Sequence, residues 1–374
     1  MAEKKKNTFK KAVFQIHKWL GLVSGLIVFI VAITGCIFCF QDEIKDALYD
    51  WRKVEMQDKP FVLPSVLHQK SRELFPGGDE QMVFYGGKDR PALVLQAEGE
   101  KYFYTYFNPY TGAYLYREDL STEFFTVIEE IHMHLLLPEP VGKQVVGIST
   151  IIFVILLISG IIQWWPKKRK HLKDRLRVKW SAKWRRINYD WHNVTGFYIA
   201  LLALVLALTG LSFSYEWMHK AMYVAGNAGK DYPEELQTPV VDTTLTANGK
   251  THVLDIALTS IAKAKPQSEM FFVWKPDEKS AVVAGAYPMG LRFEGQSNMY
   301  FHPQTGDLLK EQLYENKSAG LKFQEINYAL HTGQYFGLTG KIIAFIVSFL
   351  AAALPVTGFI MWFGRNNKKK KAVA

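Results

Sequence analysis

Apolar residues gather along this chain into four unbroken runs, at 19–40, 145–165, 196–215 and 342–363. Each is 20 to 22 residues long and free of Asp, Glu, Lys and Arg. A helix rising about 1.5 Å per residue needs about 20 such residues to cross roughly 30 Å of hydrocarbon. The pattern therefore predicts four transmembrane helices. The polar connections carry a second pattern. Residues 101–116 alternate as a strand does, turn at Asn108-Pro109-Tyr110-Thr111-Gly112 and resume, which predicts a β-hairpin. A matching turn lies in 298–306, with strand patterns at 270–274 and 281–285, and helical stretches at 63–75 and 253–263 precede the two sets. Each long connection thus reads as a small α+β module.

Charge gives the runs a direction. The formal charge of the 374 residues is +10, but the segments 1–18, 166–190 and 364–374 hold 22 Lys and Arg against only Glu3, Asp174 and Asp190. These segments carry +19; the remaining 23 basic and 32 acidic residues make −9. The positive-inside rule then predicts both termini and the middle loop in the cytoplasm, and the two long connections outside. Trp19, Trp164, Trp165, Trp191 and Trp362 fall at the predicted cytoplasmic ends, as interfacial anchors do. Basic charge so distributed reports orientation, and nucleic acid is excluded as a partner, with membrane lipid in its place. The predicted organisation is a cytoplasmic N-terminus and first span at 1–42, an extracytoplasmic module at 43–143 and a second span at 144–165. A basic cytoplasmic loop at 166–190 leads to a third span at 191–216, a second extracytoplasmic module at 217–336, a fourth span at 337–364 and a basic tail at 365–374.

The two halves align. His17-Lys18-Trp19-Leu20-Gly21 faces His192-Asn193-Val194-Thr195-Gly196 at an offset of 175, and Thr34-Gly35 and Thr209-Gly210 each begin seventeen residues after their histidine. His132 and His331 are followed by Gly142-Lys143 and Gly340-Lys341, then by Ser159-Gly160 and Thr357-Gly358, with one residue fewer in the second half. Halves sharing one in-to-out order predict a parallel duplicated bundle. The small-residue box Ile33-Thr34-Gly35-Cys36 resembles a lipoprotein processing site, but recurrence of Thr-Gly without a cysteine in the third run favours an uncleaved helix. Cys36 and Cys39 read as buried small hydrophobes, since Phe40 stands where c-type haem attachment would need His.

Ten histidines are present. Symmetry pairs His17 with His192 on the inner side and His132 with His331 on the outer side. Two imidazoles from facing helices, with no carboxylate or thiolate beside them, form the axial ligand set of a b-type haem. Zinc wants three or four ligands. His134 is the alternative to His132, from which it points about 200° away on a helix. His219 lies too far from His192 to serve the inner pair and reads as an outer surface residue, and His68, His171, His252 and His302 fall in polar segments. Gly35, Gly160, Gly210 and Gly358 would let a flat macrocycle approach the helix backbone, and close helix packing by small residues is the competing explanation.

In this order the motifs resemble the PepSY-associated transmembrane proteins, a family that includes iron-regulated membrane proteins and ferrisiderophore reductases of the FoxB type. The carriers are His17-Lys18-Trp19-Leu20-Gly21 with Thr34-Gly35, Glu130-Ile131-His132, Ser159-Gly160 leading to Trp164-Trp165-Pro166, and Ala329-Leu330-His331 before Gly337-Leu338-Thr339-Gly340-Lys341. The turns at 108–112 and 302–306 would close PepSY-like modules. The resemblance implies a bacterial inner-membrane protein with two haem b groups that passes electrons outward to reduce ferric iron in a siderophore or other ferric chelate. An unidentified cytoplasmic flavoprotein or reductase would be the donor, since no Gly-rich dinucleotide fingerprint is present. The alternatives are a haem-free PepSY protein that binds a peptide or protease, and a cytochrome b subunit serving another extracytoplasmic acceptor. Pro138-Glu139-Pro140 and the extra residue in the first half predict that His132 sits on a short helix separate from the second span.

Overall fold

A computed structural model describes residues 2–242, 244–245, 251–277 and 279–371. The chain divides into two compact units, one of Met1–Phe40, Ile128–His219 and Leu330–Ala374, the other of Gln41–Val127 and Lys220–Ala329.

The first unit holds four long apolar helices, Ala2–Phe38, Glu139–Trp164, Trp184–Ser214 and Gly337–Lys371. All four are long and apolar enough to cross a membrane. All four outrun the charge-free stretches, beginning before positions 19, 145, 196 and 342, and the fourth also continues past 363. The apolar criterion marks only the hydrocarbon crossing, whereas backbone hydrogen bonding continues into the polar zone. Around the bundle each helix packs against the next in chain order and the fourth closes on the first, so the first and third stand on one diagonal and the second and fourth on the other. Between them lies an aliphatic centre of Leu157, Ile199, Ala203, Val347 and Ala351.

Two short helices carry the remaining paired histidines. His132 lies on Phe124–His134, and Leu135 and Leu136 adopt left-handed backbone before the second long helix begins. His331 ends the helix Asn327–His331, and Gly333 makes the corresponding left-handed step. Each corner folds tightly onto the helix that follows. A Cβ on Gly142 would lie 2.2 Å from the His134 carbonyl oxygen, and one on Gly340 would lie 2.1 Å from that of Gly333. The recurring Gly-Lys pairs thus mark close backbone approaches.

The second unit is built on one antiparallel sheet of eight strands, in the order β4-β3-β2-β1-β5-β6-β7-β8. The strands are β1 Asp79–Tyr85, β2 Ala92–Glu98, β3 Lys101–Phe107, β4 Tyr114–Asp119, β5 Met270–Trp274, β6 Val282–Tyr287, β7 Ser297–Phe301 and β8 Leu308–Gln312. Strands from the two connections join at β1 and β5, from Met82 opposite Trp274 to Tyr85 opposite Phe271. Helices Pro64–Leu74 and Val253–Ala264 lie against one face, enclosing Leu67, Val83, Val94, Ile261, Val273 and Val282. They are joined to each other by Ser65, whose amide and hydroxyl both donate to Asp255, at 2.9 and 2.5 Å.

Local rules repeat in the two sets of strands. Asn108 Oδ1 accepts from the amides of Tyr110 and Thr111, and His302 Nδ1 accepts from those of Gln304 and Thr305. Both turns close through a left-handed glycine, Gly112 and Gly306, a conformation that costs glycine nothing sterically. The ladder slips by one residue beyond each turn, between Tyr106 and Phe107 and between Tyr300 and Phe301. His252 caps its helix through Nδ1, and His68 is buried in the core.

Burial, together with the nearby charges of Arg72, His252 and Lys275, pushes the His68 imidazole down to about 3. A histidine held neutral in the fold contributes stability that is full above its unfolded value of about 6.5 and is lost as pH falls from there toward the folded value. Thermal unfolding of the full chain is therefore expected to show stability declining below pH 6.5, and His68→Leu should flatten that decline.

Candidate functional site

Two imidazole pairs form within the first unit, towards opposite ends of the bundle. The ring centres of His17 and His192 are 6.4 Å apart, with their planes at 87°. Those of His132 and His331 are 6.0 Å apart, at 63°. His132 is thus the residue brought to His331, while His134 Nδ1 lies 3.0 Å from Glu130. His219 lies beyond the end of the third long helix, on the separate helix Glu216–Gly226.

Each of the four rings is held the same way. A hydroxyl from a different long helix meets Nδ1: Ser159 at His17 and Thr357 at His192, both at 2.8 Å, Thr34 at His132 at 3.2 Å, and Thr209 at His331 at 2.9 Å. These are the hydroxyls of the four Ser/Thr-Gly pairs. Each has one proton and donates it to carbonyls one turn back on its own helix: Leu156 for Ser159, Ala353 and Leu354 for Thr357, Ile30 and Val31 for Thr34, Val205 and Leu206 for Thr209. A hydroxyl so committed accepts from the ring, so Nδ1 carries the hydrogen. His132 makes this plain, because its Nδ1 also lies 2.9 Å from the Val31 carbonyl, which only accepts. With Nδ1 protonated, a neutral imidazole leaves Nε2 with its lone pair.

The glycine of each pair makes room for the same ring. A Cβ would fall 3.1 Å from Cε1 of His132 at Gly35 and of His331 at Gly210, and 3.5 and 3.6 Å from Cε1 of His17 at Gly160 and of His192 at Gly358. The motif is therefore a seat for imidazole, with hydroxyl for the nitrogen and absent side chain for the carbon beside it. In the sequence these hydroxyls carry a repeated spacing but no role. The signal was the shared spacing: seventeen residues of helix span about 25 Å, which carries Thr34 from the level of His17 to that of the other pair.

Two neutral imidazoles at such a pair, each with one nitrogen lone pair, suit a metal ion between them. Imidazole nitrogen binds a zinc-like first-row metal at about 2.0–2.1 Å and sits roughly 1.1 Å from its ring centre, so two rings on opposite sides of one ion have centres about 6.3 Å apart. The observed 6.4 and 6.0 Å match that spacing. Among the described residues no group of three or more His, Cys, Asp or Glu is placed to hold a metal ion. Two imidazoles complete a metal's coordination when a macrocycle supplies the other ligands. A largely apolar groove of about 450 Å³, lined by Phe29, Ile33, Trp191, Phe349 and Val356, reaches Thr357. Cys36 directs its thiol to the Phe345 carbonyl, and Cys39 to those of Lys341 and Thr332. Phe213 stacks edge-on against His331 with centres 5.6 Å apart.

The basic loop of 166–190 is fastened to this unit by a few contacts. Trp164 stacks on Phe197 at 3.7 Å and donates through Nε1 to the Arg175 carbonyl. Buried Asp190 accepts from Arg186 at 2.8 Å. Asn188 donates to the Thr357 carbonyl, adjoining the seat of His192.

Different clearances at the glycines give a graded expectation. Gly35→Ala and Gly210→Ala force their imidazoles to move and should each cost about 1–3 kcal/mol, as overpacking does. Gly160→Ala and Gly358→Ala meet ordinary contacts and should leave unfolding temperature in detergent close to that of the parent.

No curated protein matches the chain. The family model described as PepSY-associated TM region matches residues 14–365, taking in all four histidines and their seats. This is a membrane protein, and it belongs to the PepSY-associated transmembrane family.

Proposed function

We propose that the protein is a di-haem b-type oxidoreductase of a bacterial inner membrane, carrying electrons from the cytoplasm to the outer side to reduce ferric iron in siderophores. The observation that carries this reading is the pairing of His17 with His192 and of His132 with His331, with ring centres 6.4 and 6.0 Å apart, the spacing of two axial ligands. A haem at each pair supplies one-electron carriage. The residues divide the remaining work: four histidines ligate, four Ser or Thr hydroxyls orient them, and Gly35, Gly160, Gly210 and Gly358 give the rings space. The aliphatic layer between the pairs keeps water from the middle of the bundle.

On this reading both termini and the basic loop 166–190 face the cytoplasm, where an acidic flavoprotein or reductase would dock, and the sheet unit is extracytoplasmic. Its two sets of four strands are PepSY-like modules, and the halves of the chain are a parallel duplication. The repeated turns at Asn108 and His302, the repeated ladder slips and the repeated imidazole seats support that view. The acceptor is a ferric siderophore or similar chelate, because reduction to Fe(II) weakens its hold on hard oxygen ligands.

Absorption spectra of purified variants test the assignment. His17→Ala or His192→Ala should remove one haem, and His132→Ala or His331→Ala the other, while His134→Ala keeps both. Stopped-flow mixing of the dithionite-reduced protein with ferric siderophores should reoxidise it. Full haem content in all four alanine variants would contradict the ligand assignment, and indifference to every ferric chelate would point to another acceptor.

A further inference from the structure

Each hydroxyl bond helps to specify how the helices pack, as interhelical hydrogen bonds in membrane bundles do. Each also fixes something chemical: which ring nitrogen keeps its proton, and where the other points. We propose that Ser159, Thr357, Thr34 and Thr209 are positioning residues that lock the four imidazoles in the Nδ1–H tautomer and set their electron-donor strength at Nε2. The consequence for reduction potential rests on the haem reading above; the tautomer itself does not.

Three features argue for this role. First, each hydroxyl lies within bonding distance of a carbonyl one turn back on its own helix, and a hydroxyl that spends its proton there has only lone pairs to offer the ring. Second, Nδ1–H donation to an acceptor raises the basicity of the opposite nitrogen and fixes ring orientation. A more basic axial ligand favours the ferric state, so each hydroxyl lowers the potential of its site. Third, the arrangement is crosswise. The first and third long helices carry His17 and His192 together with Thr34 and Thr209, which serve the other pair. The second and fourth carry Ser159 and Thr357 and follow the short helices bearing His132 and His331. The first and third long helices thus take part in both sites, and the second and fourth in that of His17 and His192. The hydroxyl contacts at His17 and His192 are the shorter ones, at 2.8 Å against 3.2 and 2.9 Å, so the effect should be larger there.

The test uses Thr357→Val, which keeps the branched shape and removes the hydroxyl, beside Thr357→Ser, which restores it, in the full chain in detergent. Optical redox titration should show two haems in Thr357→Val with one midpoint shifted upward and the other unchanged, and Thr357→Ser back at the parent value. Identical midpoints in all three proteins, or equal haem loss in both variants, would overturn the proposal. Nitrogen-15 NMR of histidine-labelled, haem-free chain reads the tautomer separately. It should find Nδ1 protonated at His192 in the parent and in Thr357→Ser, with Nε2-protonated ring appearing in Thr357→Val. Dominant Nε2 protonation in the parent would overturn the proposal whether or not the protein binds haem; a parent that never takes up haem but shows the Nδ1–H tautomer would instead refute only the function proposed above.

Discussion

The membrane unit turns on a hydrogen bond made four times, from imidazole Nδ1 to a Ser or Thr hydroxyl on another helix. Apolar helices in lipid gain little from burying one another, because the lipid is as apolar as they are. Their packing alone leaves rotation and depth weakly specified. A polar group in that setting must find a partner, and a ring and a hydroxyl that satisfy each other fix both coordinates at once. Gly beside the hydroxyl completes the seat by letting the ring come within contact of the helix backbone. The bonds at His17 and Ser159 and at His192 and Thr357 set one end of the bundle, and those at His132 and Thr34 and at His331 and Thr209 set the other.

The short histidine-bearing helices meet a different constraint. Their rings have to enter the bundle from its end, so the chain folds back sharply before the next long helix starts. Gly142 and Gly340 allow it, each at a point where a side chain would collide with backbone. The first corner is one residue longer and passes through left-handed Leu135 and Leu136, whereas the second uses Gly333. The rings nonetheless reach equivalent seats.

Much of this was legible in the sequence, for reasons that can be traced. Charge-free runs identified four helices because hydrocarbon tolerates so little else. The hairpins at Asn108 and His302 were legible because their turns need a side-chain acceptor followed by glycine. Strands β1 and β2 were not identified, and the pairing of β1 with β5 depends on residues nearly 190 positions away, which local sequence does not record. The hydroxyl seats were half legible. Spacing set Thr34-Gly35 and its counterparts at the right depth, but the partner of each hydroxyl stands 98 to 165 residues away, and local sequence carries no record of which ring it meets. His132, and not His134, is the ring that stands beside His331, a pairing across about 200 residues that local sequence does not record.

The haem stoichiometry of the purified, full-length protein tests the central claim most directly. An alkaline pyridine spectrum measured against protein concentration should give two haem b per chain, one for each imidazole pair. A value of zero, obtained with the protein folded and expressed under haem-replete conditions, would contradict the account.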